Sequence, residues 1–120
     1  MKFMWTTLPV SDLDKSVKFY SEFMGLGPIA RMGIPQHQVV MLGCDGETKL
    51  ELIYEPGKAI PENPGGLISM GYAPEDLDAF MAKVAAAGIP AVGPISPSPD
   101  IRFFFIKDPD GYTVQLVEQM

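Results

Sequence analysis

Two stretches of this chain repeat each other at one fixed distance. Asp12-Leu13-Asp14 opens a run that reaches Phe19-Tyr20, and Asp76-Leu77-Asp78 opens a second such run 64 positions later. At the same offset of 64, Leu50-Glu51-Leu52-Ile53-Tyr54-Glu55 is echoed by Val114-Gln115-Leu116-Val117-Glu118-Gln119. Each of these later runs follows an Asp-Gly pair, Asp45-Gly46 and Asp110-Gly111. A unit of roughly 60 residues is therefore present twice, which sets this chain apart from long repeat arrays. A unit of that size alone buries only ~60% of its unfolded surface, so two halves sharing a core is the stable arrangement.

Charge narrows the partners. The net charge of −6 argues against nucleic acid and anionic membrane, both of which attract basic surfaces. An acidic surface tolerates or attracts a cationic ligand. The single cysteine, Cys44, has no internal partner for a disulfide, and no Cys or His stands at metal-finger spacing. No charged-then-apolar leader opens the chain and no apolar run reaches membrane-spanning length, so a cytoplasmic protein is expected.

Period and punctuation place the elements. Residues 2–10 read as a strand with Pro9 near its end. Ser11 reads as a helix N-cap, with Asp12 and Asp14 at the positive end of the helix dipole. Leu13, Val17, Tyr20 and Met24 form one apolar stripe, and Gly25 ends the helix. Strands are expected at 28–33, 37–43 and 48–54.

The first module is thus 1–54, a Pro- and Gly-rich linker spans 55–66, and the second module is 67–120. In the second module a strand at 67–72 leads to a helix with Pro74 in its first turn and the stripe Leu77, Phe80, Met81, Val84. The stretch Gly93–Pro99 reads as a loop, and strands at 101–107 and 112–119 close the module. The expected fold class is α+β, two tandem β-α-β-β-β modules. In each, one sheet face lies under the helix and the other is free.

Three passages carry a family resemblance: the run from Val10 to Tyr20 with Phe23-Met24-Gly25, then Lys49-Leu50-Glu51-Leu52, then Asp108-Pro109-Asp110-Gly111-Tyr112-Thr113-Val114-Gln115-Leu116. With them the chain resembles the vicinal-oxygen-chelate superfamily, which includes glyoxalase I, the bleomycin- and fosfomycin-resistance proteins and extradiol dioxygenases. Each passage also has a purely structural reading, a capped helix or a type I turn. The resemblance implies curved mixed sheets around a cup-shaped cavity. It also implies a divalent metal held by His or Gln, Glu, His and Glu from the first and fourth strands of each half.

Here those four slots fall on Trp5, Glu51, Leu67 and Gln115. Trp5 and Leu67 offer a metal nothing, Gln115 offers a neutral amide oxygen, and one carboxylate does not hold a transition metal against water. No metal and no cofactor is therefore expected. The only histidine, His37, lies near the third strand and reads as an ordinary polar strand residue.

Alternation places Trp5 and Thr7 on the cup face. A two-residue turn at 108–111 would oppose Phe104 to Gln115, which brings Phe104 into the cup and sends Phe103 and Phe105 under the helices. Leu67 and Ser69 join by parity. The expected ligand-binding set is Trp5, Thr7, Glu51, Leu67, Ser69, Phe104 and Gln115, with Glu51 the candidate catalytic residue. Glu51 needs a partner, whether Arg31, Arg102, Lys49, water or a cationic ligand group.

Three functions remain open: a metal-independent binding protein for a cationic or aromatic small molecule, a glyoxalase-like lyase or isomerase or a dioxygenase-related enzyme using Glu51 or an atypical metal arrangement, and a filled scaffold with Trp5 packed solid. The expected assembly is a homodimer.

Overall fold

Strand alternation and aspartate caps account for most of the architecture. The computed structural model describes residues 1–27 and 29–120. Pro28, which opens the expected strand 28–33, lies outside the described residues. Two compact units divide the chain, Met1–Glu62 and Asn63–Met120.

The first unit contains β1 (Trp5–Pro9), α1 (Leu13–Lys18) running into a π-helical turn (Phe19–Phe23), β2 (Ile29–Ile34), β3 (His37–Leu42) and β4 (Lys49–Tyr54). The second contains β5 (Ser69–Tyr72), α2 (Leu77–Ala86), β6 (Val92–Ser98), β7 (Ile101–Lys107) and β8 (Thr113–Gln119). Both sheets share one plan. Their orders are β1-β4-β3-β2 and β5-β8-β7-β6, with the first pair parallel and the other pairs antiparallel. The α+β class and the repeated module are therefore as the sequence implies.

The repeated Asp-Leu-Asp is a capping signal. Asp12 is extended at φ −142° and accepts a hydrogen bond from the Lys15 amide at 3.1 Å. Asp76 does the same for the Ala79 amide at 3.0 Å. Ser11 is therefore not the N-cap, and Pro74 precedes the cap instead of entering the first turn: an aspartate one residue before the apolar stripe outcompetes both. Gly25, at φ 79°, ends the first helical run in the left-handed region.

Both helices lie against one face of their own sheet. In the first unit Leu8, Leu13, Val17, Tyr20, Val40, Leu50 and Leu52 are buried, and Phe19 meets Tyr20 edge-on at 5.0 Å. In the second, Leu77 and Val84 of α2 are buried with Phe104, Ile106, Val114 and Leu116. Each such side chain is worth about 1.5–3 kcal/mol when fully buried, so these faces hold the units together.

Two expectations for the second unit are corrected. The stretch 93–99 is not a loop but most of β6, an edge strand that pairs only with β7. Its register shifts between Val92, Ile95 and Ser98, and an edge with interrupted pairing tolerates Pro94 and Pro97.

The β7–β8 connection is also one residue longer than a two-residue turn at 108–111 requires. Lys107 pairs with Thr113, so Phe105, not Phe104, faces Gln115. A shift of one residue exchanges the faces of a strand. Phe104 is 1% exposed and packs 6.4 Å from the Phe80 ring of α2, while Phe103 and Phe105 stand on the free face.

Asp108 explains the extra residue. Its Oδ1 accepts from the Asp110 and Tyr112 amides at 2.9 Å each, its own amide donates to the Tyr112 carbonyl at 2.9 Å, and the Gly111 amide donates to its carbonyl at 3.0 Å. The turn is thus closed by a buried side chain as well as by backbone.

Tyr72 lies opposite Leu116 on the helix side of its sheet, and burial pushes its phenol up to about 12 from 10.0. Between those values the unfolded chain has released a proton that the folded chain keeps, so stability falls as pH rises through this window. The full loss, reached once the folded phenol has also titrated, is about 3 kcal/mol. Urea midpoints measured from pH 9 to 12 should fall less steeply in Tyr72→Phe than in the parent. Equal slopes would contradict the assignment.

Candidate functional site on the free sheet faces

The parallel pairing of β1 with β4 sets Thr7 opposite Glu51 and Trp5 opposite Lys49. Trp5, Thr7 and Glu51 therefore share the face turned away from α1, as alternation implies. The Thr7 hydroxyl donates to Glu51 Oε1 at 2.7 Å. Among the described residues Glu51 has no ion-pair partner, and Arg102 is committed elsewhere. The Arg102 guanidinium grips Asp78 of α2 through two bonds, 2.9 and 3.1 Å, and Glu118 at 3.2 Å. Its hydrogen bonds and charge hold the Asp78 carboxyl below the usual carboxylate range.

Trp5 is 46% exposed, so its indole stands open on the same face as the carboxylate instead of being packed within its unit. Met41, the cross-strand neighbour of Glu51, extends the same face. This patch combines an aromatic surface, a flexible thioether and an oriented acid.

In the second unit the same register recurs. Ser69 pairs with Thr113 and Gly71 with Gln115. Ser69 and Gln115 share the free face as expected, but Leu67 does not: it lies in the turn before β5 and is fully exposed. The strand position equivalent to Trp5 is Ser69, and that equivalent to Thr7 is Gly71. The offset of 64 that relates Glu51 to Gln115 gives both correspondences directly. The short β5 begins only at Ser69 because the turn through Pro64 and Gly66 consumes the residues before it.

Sequence reasoning missed Gly71, Phe103 and Phe105 on this face. The repeat offset would have found the glycine. The two phenylalanines were hidden by the one-residue error in register. Phe104 belongs instead with Met81, Val84, Ala85 and Ile89 around an apolar crevice of about 260 Å³ beneath α2, which has no polar side chain.

His37 opens β3 with its Nδ1 3.8 Å from Glu55 Oε1, an oxygen that also meets Lys58 at 3.1 Å. Among the described residues no three His, Cys, Asp or Glu side chains come together. The donor chemistry agrees. Indole N–H only donates, the Ser69 hydroxyl and the Gln115 amide oxygen are weak neutral ligands, and Glu51, the one acid, already receives a hydrogen bond from Thr7. The residues present do not fit the divalent metal that the resemblance implies.

The family is defined by comparison with known proteins. Residues 2–116 match the model of the glyoxalase/bleomycin resistance protein/dioxygenase superfamily, and the chain belongs to that superfamily. It is 32% identical over 127 residues to a probable lactoylglutathione lyase of Vibrio cholerae, covering 98% of this chain and 90% of that protein. It is 28% identical over 126 residues to lactoylglutathione lyase GLX1 of Arabidopsis thaliana, and spans 44% of that protein's length.

Among solved structures, the trypanothione-dependent glyoxalase I of Leishmania major superposes with a TM-score of 0.84 at 26% identity, covering 98% of this chain and 86% of that one. TnmS3, an antibiotic binding protein from Streptomyces sp. CB03234, shares the fold with a TM-score of 0.77 at 24% identity, covering 100% and 97%. No helix of the described residues is long and apolar enough to cross a membrane.

Proposed function

We infer that this chain is a metal-independent small-molecule-binding protein of the glyoxalase/bleomycin-resistance type, with an organic cation bearing an aromatic ring as its ligand. One observation carries the reading: the carboxylate of Glu51, oriented by the Thr7 hydroxyl at 2.7 Å, stands on the same open face as a 46% exposed tryptophan. An aromatic cation gains both from the indole face and from the acid. The net charge of −6 draws such a ligand from solution. The fold is shared with an antibiotic binding protein.

Trp5 is the only tryptophan, so its emission reports on this patch alone. Titration with an N-alkylacridinium salt should quench Trp5 saturably, and Glu51→Gln should weaken the affinity about tenfold, equivalent to ~1.4 kcal/mol. A screen of aromatic cations that never alters Trp5 emission would overturn the reading.

A second reading is favoured by the names of the relatives, which are lactoylglutathione lyases. In it Glu51 acts as a general base in a lyase or isomerase. Formation of lactoylglutathione by the purified chain, abolished in Glu51→Gln, would establish it in place of the first.

The assembly that suits this site is a homodimer. The edge strands β2 and β6 are exposed along their length and carry Met32, Ile34, Val92 and Ile95. Light scattering should give twice the 13.1 kDa chain mass. The unpaired Cys44 suits a reducing compartment, and we assign the protein to the cytoplasm.

A further inference from the structure

We propose that Gln115, on the free face of the second sheet, binds a flat, uncharged small-molecule group presenting an N–H donor beside an acceptor, such as a primary carboxamide or a base-like heteroaromatic edge. The proposal rests on the small-molecule reading above and names a chemistry for the free face of the second sheet.

Gln115 stands in the register position that Glu51 holds in the first unit, with Gly71 across one side and Phe105 across the other. Phe105 and Phe103 meet edge-to-face, their centroids 5.5 Å apart at 75°. Gly71 leaves the space beside the carboxamide clear. A Cβ there would already touch Gln115 Oε1 at 3.5 Å, so a branched side chain at this position would fill the space beside the amide.

The carboxamide itself is half-buried and makes no side-chain hydrogen bond among the described residues. It therefore has an N–H donor and a C=O acceptor, side by side, that no described residue uses. That pair matches the donor–acceptor edge of another amide or of a nucleobase through two parallel hydrogen bonds.

The charge of this face decides between a charged and a neutral occupant. The cation on this side, Lys107, is held at the strand end, where its ammonium donates to Thr113 Oγ1 at 2.6 Å and to Asn63 Oδ1 at 3.4 Å. Ser69, Gly71, Phe103, Phe105 and Val117 carry no charge. A carboxylate in place of Gln115 would require a cation. The amide, flanked by aromatic rings on which a flat group stacks, requires a neutral planar partner.

The test uses the ¹⁵N-labelled full chain and nicotinamide as probe, with N,N-diethylnicotinamide as the analogue lacking the N–H donor. Nicotinamide should shift the Gln115 side-chain amide resonances saturably. The diethyl analogue should bind at least tenfold more weakly to the parent chain. Gln115→Met and Gly71→Val should each lose at least tenfold in nicotinamide affinity.

Trp5 quenching by the acridinium salt is measured on the same samples. If that salt binds while nicotinamide leaves Gln115 unmoved, or binds Gln115→Met equally well, the proposal fails and the function reading stands. If neither probe binds, both fail. Equal binding of the two nicotinamides by the parent chain also overturns the proposal, and this arm needs no variant.

Discussion

Phe104→Ala should destabilise the chain by about 4 kcal/mol and lower the melting temperature by roughly 15 °C, whereas Phe105→Ala should cost only about 1 kcal/mol. The two residues are neighbours of identical chemistry, so the contrast isolates their environments. Phe104 is 1% exposed, packs against Phe80 and lines the crevice beneath α2. Truncation there enlarges an existing void that α2 cannot readily collapse into, which adds a cavity term to the lost transfer energy. Phe105 stands on the free face beside Gln115, where solvent replaces the ring at little cost. Urea unfolding of the two variants measures the difference directly. Equal losses, or a larger loss for Phe105→Ala, would mean that the strand presents the opposite face to the helix.

Asp108→Ala should cost about 3 kcal/mol, roughly 10 °C in melting temperature. The Asp108 carboxylate is 6% exposed and accepts two backbone N–H groups at 2.9 Å. Alanine leaves both donors without their acceptor in a turn that buries Tyr112. Asp108→Asn keeps an acceptor oxygen and should recover more than half of the loss. Thermal melts of the pair decide this, and an Asn variant as unstable as the Ala variant would show that negative charge, not acceptance, is what the turn requires.

These two positions also show how far the sequence could be read. The module plan was legible because its signals are local and doubled. Asp12 and Asp76 cap equivalent helices, and the runs around Leu50–Leu52 and Val114–Leu116 alternate with period two. Trp5, Thr7 and Glu51 fell on one face by the same alternation.

Register was not legible, because it depends on how many residues a turn consumes. Asp108 closes its turn through a side chain, an option that Asp-Pro-Asp-Gly does not distinguish from a tighter turn, and the one-residue difference moved Phe104 from the free face to the core. β6 was hidden by Pro94 and Pro97, residues that speak against a central strand but not against an edge. Leu67 was misplaced because family motifs report residue order, whereas the start of β5 is set by the turn ahead of it.

The proposed metal independence rests on the donors that each free face offers: an indole and a threonine-bound acid on the first sheet, a serine and an amide on the second. Elemental analysis of the purified chain, dialysed without chelator and measured against protein concentration, tests this most directly. The account predicts nickel, zinc, manganese and iron far below one atom per chain. One tightly retained atom per chain of any of them, lost in Glu51→Gln, would contradict it.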